Sequence, residues 1–109
     1  MNYNNSYNYI AINLYNPNSI KIGETSRLEK RKQELLKEKF LIVKTYDKTK
    51  NRPQRLLVES GLRITILEYE NTKIIKDDYF ITTVDNIMDI IEKFELYCDG
   101  WLYNRPSHH

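Results

Sequence analysis

The sequence predicts an α+β domain with a small three-stranded, mostly antiparallel sheet flanked by helices, in the order β-β-α-β-α-α. Residues 7–14 and 19–23 alternate along the chain and are joined by the turn sequence YNPN, which indicates an antiparallel hairpin. Later segments carry helix-capping residues and an apolar stripe at helical spacing. The 109 residues are enough for one hydrophobic core and one domain.

The first helix and the third strand follow the hairpin directly. Ser26 lies three residues before Glu29 in a capping-box pattern, which predicts a helix over residues 27–39. The sequence FLIVKTY, residues 40–46, is dense in β-branched and aromatic side chains and predicts the third strand. These elements complete the β-β-α-β part of the order.

Two further helices are predicted in the second half of the chain. Pro53 suits the first turn of a helix over residues 53–68, although Gly61 costs that helix about 1 kcal/mol relative to alanine. The sequence KIIKDDYFIT contains only short extended pieces. Thr83 is placed to cap a last helix over residues 84–97, which carries one apolar stripe.

Composition narrows the classes of protein. The chain has 17 basic and 15 acidic residues, a net charge of +2, so any nucleic-acid contact must come from a local patch. The single cysteine excludes an internal disulfide framework and a cysteine-rich zinc site. It predicts a reducing intracellular compartment, the cytoplasm or a host nucleus, and the absence of a signal segment argues against secretion.

The two ends of the chain are polar, and we expect three segments. Residues 1–6 are predicted to be a disordered N-terminal tail, residues 7–98 the folded domain and residues 99–109 a C-terminal extension. Within that extension, Trp101 and Tyr103 form either an exposed interaction surface or a hydrophobic cover over the core.

Arg31 is the first candidate for chemistry. It shares a helical face with Leu28 and Leu35, and that face is expected to pack on the sheet. The side chain then either extends past the core edge into solvent or directs its guanidinium into a cleft, where its planar fork suits phosphate oxygens.

Glu59 is the second candidate. It borders the apolar side of the second predicted helix, and it either pairs with Arg63 four residues later or leaves its carboxylate free for Mg²⁺. Tyr7 and Tyr9 share one strand face, which is usually core. The combination of tyrosine hydroxyls, Lys21, an arginine and one carboxylate in so small a fold favours a functional site.

The ordered pattern Tyr-x-Tyr-Ile, Lys-Ile-Gly-x-Thr and an arginine ten residues after the lysine resembles the GIY-YIG nuclease superfamily. It is most similar to the compact branch found in phages and large DNA viruses, and the later DDYF resembles a signature of that branch. The resemblance spans roughly residues 7–94 and implies the β-β-α-β-α-α order as a GIY-YIG-like fold. It implies a metal-dependent endonuclease that uses one Mg²⁺ or Mn²⁺ ion.

The resemblance also implies roles for individual residues. Tyr9 matches the tyrosine beside the attacking water, where it serves as the general base or assists it, and Lys21 takes the place of the second motif's tyrosine. Gly23 matches that motif's glycine, Arg31 the arginine that steadies the scissile phosphate, and Glu59 the metal-binding glutamate. In the mechanism this suggests, Lys21 either stabilises the phosphate charge or lowers the pKa of Tyr9.

Other positions support the motifs or depart from them. Tyr7, Gly23, Thr25 and Arg27 are the supporting residues, although Tyr7 replaces the glycine of the first motif. The histidine that often follows in the first helix is absent, since the only histidines are His108 and His109.

Substrate contact is expected from six basic residues around the first two helices. They are Lys30, Lys32, Lys48, Lys50, Arg52 and Arg55. The alternative is that they are only solvated charges; phosphate contact would instead make binding weaken steeply with salt. The expected partner is nucleic acid, and DNA in particular. The expected reaction is nicking or structure-selective cutting. A homodimer would allow both strands to be cut.

Two other classes of protein remain open from the sequence. One is a catalytically inactive GIY-YIG-like module that binds nucleic acid, because the first motif is degraded. The other is a viral interaction protein without nucleic-acid contact. Metal-dependent turnover separates the nuclease from the binding module, and DNA binding at low salt separates both from the interaction protein.

Overall fold

A central hairpin forms as the sequence predicts, from strands β1 (Tyr7–Asn13) and β2 (Ser19–Thr25). The strands pair antiparallel, with Tyr9 opposite Gly23. Asn13 closes the intervening turn, because its side-chain Oδ1 accepts hydrogen bonds from two backbone N–H groups in the turn. The structure is a computed structural model that describes residues 5–103; residues 1–4 and 104–109, including His108 and His109, lie outside the described part.

The sheet has five strands, so the prediction of three was wrong. Strand β3 (Phe40–Tyr46) pairs with β1, and a second hairpin adds β4 (Lys73–Lys76) and β5 (Tyr79–Ile81). The strand order is β3-β1-β2-β5-β4, and every pairing is antiparallel. The sequence KIIKDDYFIT, predicted only as short extended pieces, turns at Asp77 and Asp78 and extends the sheet through β5.

The first helix, α1 (Leu28–Lys37), is shorter than predicted at both ends. The predicted capping box does not form: the N-cap is Arg27, and no side chain caps it. Thr25 Oγ1 instead accepts the Arg27 backbone N–H at 2.9 Å, which shapes the turn between β2 and the helix. Ser26 is exposed within that turn.

The second helix, α2 (Arg52–Leu67), follows the prediction closely. Proline occupies its first turn, and Asn51 caps it by accepting the Gln54 backbone N–H at 3.0 Å. The helix continues through its β-branched last turns because Leu62 and Ile66 are fully buried there.

The predicted last helix is two helices, α3 (Val84–Glu92) and α4 (Phe94–Tyr103). Thr83 caps α3 as predicted, accepting the Asn86 backbone N–H at 3.1 Å. The chain changes direction at Lys93, so the buried side chains of both helices enter the same core. Of the described helices, none is long and apolar enough to cross a membrane.

Alternation along the strands divides the core between two sheet faces. Helices α2, α3 and α4 cover the face that carries Ile10, Ile20 and Ile22, where the larger core cluster lies. Helix α1 covers the opposite face, whose buried cluster is Tyr9, Ala11, Leu35 and Phe40. Each fully buried isoleucine contributes about 1.5–3 kcal/mol, so the α2 face holds most of the hydrophobic stabilisation.

Trp101 packs against helix α2 and is only partly exposed. Its ring packs on Gly61 of α2, where a Cβ would overlap the indole, and its Nε1 donates to Thr65 Oγ1 at 2.9 Å. Tyr103 is exposed. At the other end, Ser6 is buried. The rest of the predicted disordered tail, apart from the exposed Asn5, lies outside the described residues, and the division of the chain into three segments stays a prediction.

Candidate active site

Tyr9 lies across the central hairpin with its ring over Gly23. The tyrosine is 1% exposed, and a Cβ at position 23 would overlap its hydroxyl. No glycine in residues 5–103 has a positive φ, so Gly23 is required by the close approach of the ring rather than by its backbone conformation. The motif glycine and the motif tyrosine are therefore one packing unit.

Arg31 reaches from α1 to this tyrosine. Its Nη1 donates to the Tyr9 hydroxyl oxygen at 3.1 Å, and its Nε donates to Glu34 Oε1 at 3.1 Å. The Arg31 side chain is 39% exposed, so it is partly accessible to a ligand. Leu35 is buried on the same helical face, as predicted, and the guanidinium extends past it to the edge of the sheet.

Burial raises the pKa of Tyr9 above its ordinary value, because the charged phenolate is poorly solvated there. The hydrogen bond and the charge of Arg31 act in the opposite direction, while the charges of Asp78 and Glu59 raise the pKa further. Burial outweighs the Arg31 cation, and Lys21 is not among the charges that shift this pKa.

Lys21 is engaged elsewhere. Its Nζ donates to Glu38 Oε1 at 3.2 Å and lies 5.3 Å from the centroid of the Phe40 ring. Its side chain is 18% exposed. The lysine is therefore held beside the end of α1.

Glu59 is partly buried on α2, with its side chain 17% exposed. Burial is the largest cause of the raised pKa of its carboxyl group, and the negative charge of Glu24 is the second largest. The predicted pairing with Arg63 is loose, at 3.9 Å between Arg63 Nη2 and Glu59 Oε2. Arg63 directs its Nε to the Asp77 carbonyl oxygen instead, at 2.7 Å.

These groups meet at an open edge of β2. Strand β5 pairs only with residues 19–21 of β2, and the Ile22 N–H donates to the Asp78 carbonyl oxygen at 2.9 Å. Beyond that point, no described strand pairs with this edge of β2. Arg31 and Glu59 come from helices on opposite sheet faces, yet both charges affect the pKa of Tyr9. The charge of Arg31 also lowers the pKa of Glu59. The fold thus brings Tyr9 and Gly23 together with both charges.

The metal ion implied by the resemblance fits Glu59 as a single carboxylate ligand. No side chain of the described region donates a hydrogen bond to this carboxylate, and its one ion pair is the loose contact with Arg63. The described residues contain no group of three or more His, Cys, Asp or Glu that would form an all-protein metal cage. One carboxylate suits Mg²⁺, which usually keeps several waters and binds substrate phosphate.

A basic cleft of about 270 Å³ opens beside Arg31. Five cationic side chains line it: Arg27, Lys30, Arg31, Arg52 and Arg55. Its acidic lining residues are Glu24 and Glu34, each paired with one of the arginines. The excess of positive charge suits phosphate groups.

The six predicted nucleic-acid contacts separate into groups. Lys30, Arg52 and Arg55 line the basic cleft. Lys32 pairs with Glu29 on the same helix at 3.3 Å. Lys48 lies on the α4 side of the molecule, paired with two carboxylates of that helix. Lys50 is exposed beside the start of α2.

A buried polar network behind the cleft was missed in the sequence. Arg55 is 8% exposed and donates from Nε to Glu24 Oε1 at 2.7 Å and from Nη1 to Ser6 Oγ at 3.0 Å. Asn8 Nδ2 donates to the Arg55 carbonyl oxygen at 3.0 Å, which ties α2 to β1. The usable signal was strand alternation, because Glu24 must face α2 when Gly23 faces α1.

The fold and the site define a small α+β domain with a tyrosine, an arginine and a glutamate gathered at an open strand edge beside a basic cleft. The sequence model of one protein family, the T5orf172 domain, matches residues 6–95, and the chain belongs to this family. No curated protein and no solved structure gives a significant match.

Proposed function

We propose that the protein is a metal-dependent endonuclease of the GIY-YIG type that hydrolyses phosphodiester bonds in DNA, by nicking or by cutting at a structural feature. The observation that carries this proposal is the hydrogen bond from Arg31 to Tyr9 at the open edge of β2. The charge of Glu59 is near enough to contribute to the raised pKa of Tyr9. The family match supports it, since the T5orf172 domain is related to GIY-YIG nucleases.

Arg31 binds the scissile phosphate in this proposal. A guanidinium has five N–H donors, and two of its nitrogens already contact Tyr9 and Glu34. The remaining donors are free to bind the non-bridging oxygens, where negative charge increases in the transition state. The contacts to Tyr9 and Glu34 fix the guanidinium before substrate arrives, so little reorganisation is needed.

Tyr9 orients the attacking water. Its raised pKa keeps the phenol neutral near neutral pH, which makes it a poor general base and a good hydrogen-bond donor. Its oxygen already accepts from Arg31, so the phenolic proton is available to the water or to the phosphate. The role proposed for Tyr9 is therefore positioning of the nucleophile.

Glu59 would hold one Mg²⁺ or Mn²⁺ ion, which when bound neutralises phosphate charge and lowers the pKa of a bound water. The carboxyl group must be ionised to do this. Because burial and Glu24 raise the pKa of Glu59, activity should rise with pH through that raised value.

The test is conversion of supercoiled plasmid to nicked or linear DNA in Mg²⁺ or Mn²⁺. We expect cutting by the wild type, none with EDTA and none by Glu59→Gln, which keeps the shape of the side chain. Glu95→Gln is the matched control, because Glu95 is exposed on α4, and it should cut normally. Arg31→Ala should lose about 100- to 1,000-fold in rate.

Equal cutting by Glu59→Gln and wild type would reject the metal assignment. The second candidate function is a non-catalytic nucleic-acid-binding module, which is favoured by the raised pKa of Tyr9 and the engagement of Lys21 by Glu38. DNA retained in a low-salt gel shift, with no cutting under any metal condition, would select that module instead.

A further inference from the structure

A second groove lies beside the basic cleft, around the start of α1. Its volume is about 340 Å³, and its lining includes Asn5 and Tyr7. Ser26, Arg27 and Lys30 line both this groove and the basic cleft. We call it the Tyr7 groove. Because the two concavities share these residues, they adjoin each other, and we call the pair the path: Arg31 lines one of its parts and Tyr7 the other.

The cleft end of this path carries unpaired positive charge. Within residues 5–103, Arg27, Lys30 and Arg52 have no ion pair with a carboxylate, whereas Arg55 is held by Glu24 at 2.7 Å. Arg55 therefore provides a rigid wall, and the three unpaired cations are free to neutralise an anion. A backbone phosphate next to the one at Arg31 is the group that fits this charge.

The Tyr7 end of the path has different chemistry. The Tyr7 side chain is half-buried, and it lines the groove beside the exposed Asn5. An aromatic side chain next to a basic channel is the arrangement that stacks a nucleobase, and stacking requires a base that has left the double helix.

The size of the path agrees with a single strand. Volumes of about 270 and 340 Å³ lie near the lower end of ordinary small-molecule sites, which span about 300–1,000 Å³. Each concavity is thus suited to one nucleotide-sized unit. A double helix has both strands paired and is too wide to enter either concavity, so it would touch only the rim with its phosphates.

We infer that the substrate is a polynucleotide with an unpaired segment next to the bond that is cut. A phosphate of that segment occupies the basic cleft, and a base beyond it stacks on Tyr7. The inference rests on the proposed function, because Arg31, the residue assigned to the scissile phosphate, lines one part of the path.

The experiment measures binding of the full-length protein in EDTA, where no cutting occurs, by fluorescence anisotropy. Three labelled DNA probes of equal length are compared: a single strand, a blunt duplex and a duplex with a single-stranded overhang. We expect the single strand and the overhang to bind about tenfold more tightly than the blunt duplex, as base stacking on an aromatic side chain predicts.

Variants of Tyr7 locate the stacking site. Tyr7→Ala should weaken binding of the single strand and the overhang about tenfold and leave the blunt duplex unchanged, while Tyr7→Phe should retain wild-type binding. Tyr15→Ala is the matched control, because Tyr15 is exposed in the turn of the first hairpin. Circular dichroism of each variant verifies folding, and the probe comparison with wild type alone still decides the inference if Tyr7→Ala does not fold.

Variants of the cleft test the phosphate contact. Arg52→Ala should weaken binding of all three probes and reduce the salt slope by about one. Lys73→Ala, on the exposed edge strand β4, is the control and should not change the slope.

Two results would overturn the inference: equal affinity of wild type for the blunt duplex and the single strand, or equal losses from Tyr7→Ala and Tyr15→Ala. These results are distinct from failure of the proposed function. Cutting of blunt duplex without single-strand preference would retain the nuclease and reject the inference. A single-strand preference without cutting in any metal would retain the inference and reject the nuclease.

Discussion

Two glycines lie beneath aromatic rings in different parts of the molecule. Tyr9 covers Gly23 on the sheet face beneath α1, and Trp101 covers Gly61 on the α2 side. At both positions a Cβ would overlap the ring, so the two contacts use the same packing solution. They differ in what the polar atom of each ring contacts.

The Trp101 indole N–H is satisfied inside the fold, since it donates to Thr65 Oγ1 at 2.9 Å. The Tyr9 hydroxyl accepts from Arg31, whose guanidinium is partly exposed at the open edge of β2. Aromatic packing on glycine therefore does not by itself indicate a functional site. The distinguishing feature of the candidate site is a polar atom of the ring that contacts a partly exposed charged group.

The other buried hydroxyls on the α4 side support this distinction. Tyr46 donates to Asp99 Oδ1 at 2.8 Å, and Tyr69 donates to Asp89 Oδ2 at 2.6 Å. A phenol that donates to a carboxylate is kept neutral, so the pKa of each is raised by burial and then by that hydrogen bond. Tyr9 instead accepts from a cation, which leaves its proton free for a ligand.

Of the two glycine contacts, the one beneath Tyr9 should have the larger effect when it is broken. Gly23→Ala should displace the Tyr9 ring and separate its hydroxyl from Arg31, because the added methyl group overlaps the hydroxyl. A displacement of about 1 Å at a reacting group costs on the order of 100-fold in rate. The measurement is the plasmid-cutting rate at protein concentrations corrected for the folded fraction. An unchanged rate would mean that the hydroxyl position does not matter to the chemistry.

The matching substitution on the other side should affect stability instead. Gly61→Ala forces the Trp101 ring away from α2 and should cost about 1–3 kcal/mol in the free energy of unfolding. The cutting rate per folded molecule should be unchanged. Urea unfolding measures the loss, with Gly100→Ala as control, because a Cβ at position 100 meets open space. Loss of activity beyond the unfolded fraction would show that both contacts serve the site.

The sequence predicted the first three strands and the second helix because their signals are local. The hairpin has its own turn sequence, and α2 has its own proline and cap. The β4–β5 hairpin was not counted as part of the sheet, since strands of four and three residues carry little pattern of their own. Their pairing depends on β2, which is distant in sequence.

The candidate site was likewise predictable from the sequence only in part. Tyr9, Arg31 and Glu59 were found through an ordered motif, whereas their surroundings depend on tertiary structure. The sequence could not show that Lys21 turns toward Glu38 or that burial dominates the pKa of Tyr9. Both outcomes follow from side chains contributed by other elements.

A smaller effect is expected on stability from Glu59 itself. Because its pKa is raised in the folded state, this carboxyl group favours folding below its ordinary pKa, and that contribution is lost as the pH rises through the raised value. Glu59→Gln should therefore be more stable than wild type at pH 7, with the gain shrinking toward pH 4. Urea unfolding at both pH values measures it, with Glu70→Gln as control, because Glu70 is exposed and has no ion pair among the described residues. A destabilised Glu59→Gln at pH 7 would indicate a structural role for the carboxylate.

The smallest expected effect concerns the predicted DNA contact that lies away from the cleft. Lys48 pairs with Glu95 at 3.1 Å and Asp99 at 3.3 Å on the α4 side, so its charge is already compensated within the fold. Lys48→Ala should therefore leave DNA affinity nearly unchanged. Arg52→Ala, which removes an unpaired cation from the basic cleft, should weaken binding several-fold more under the same salt conditions. Equal losses from both variants would show that DNA also contacts the α4 side. The binding site would then not be confined to the side of the molecule that carries the basic cleft.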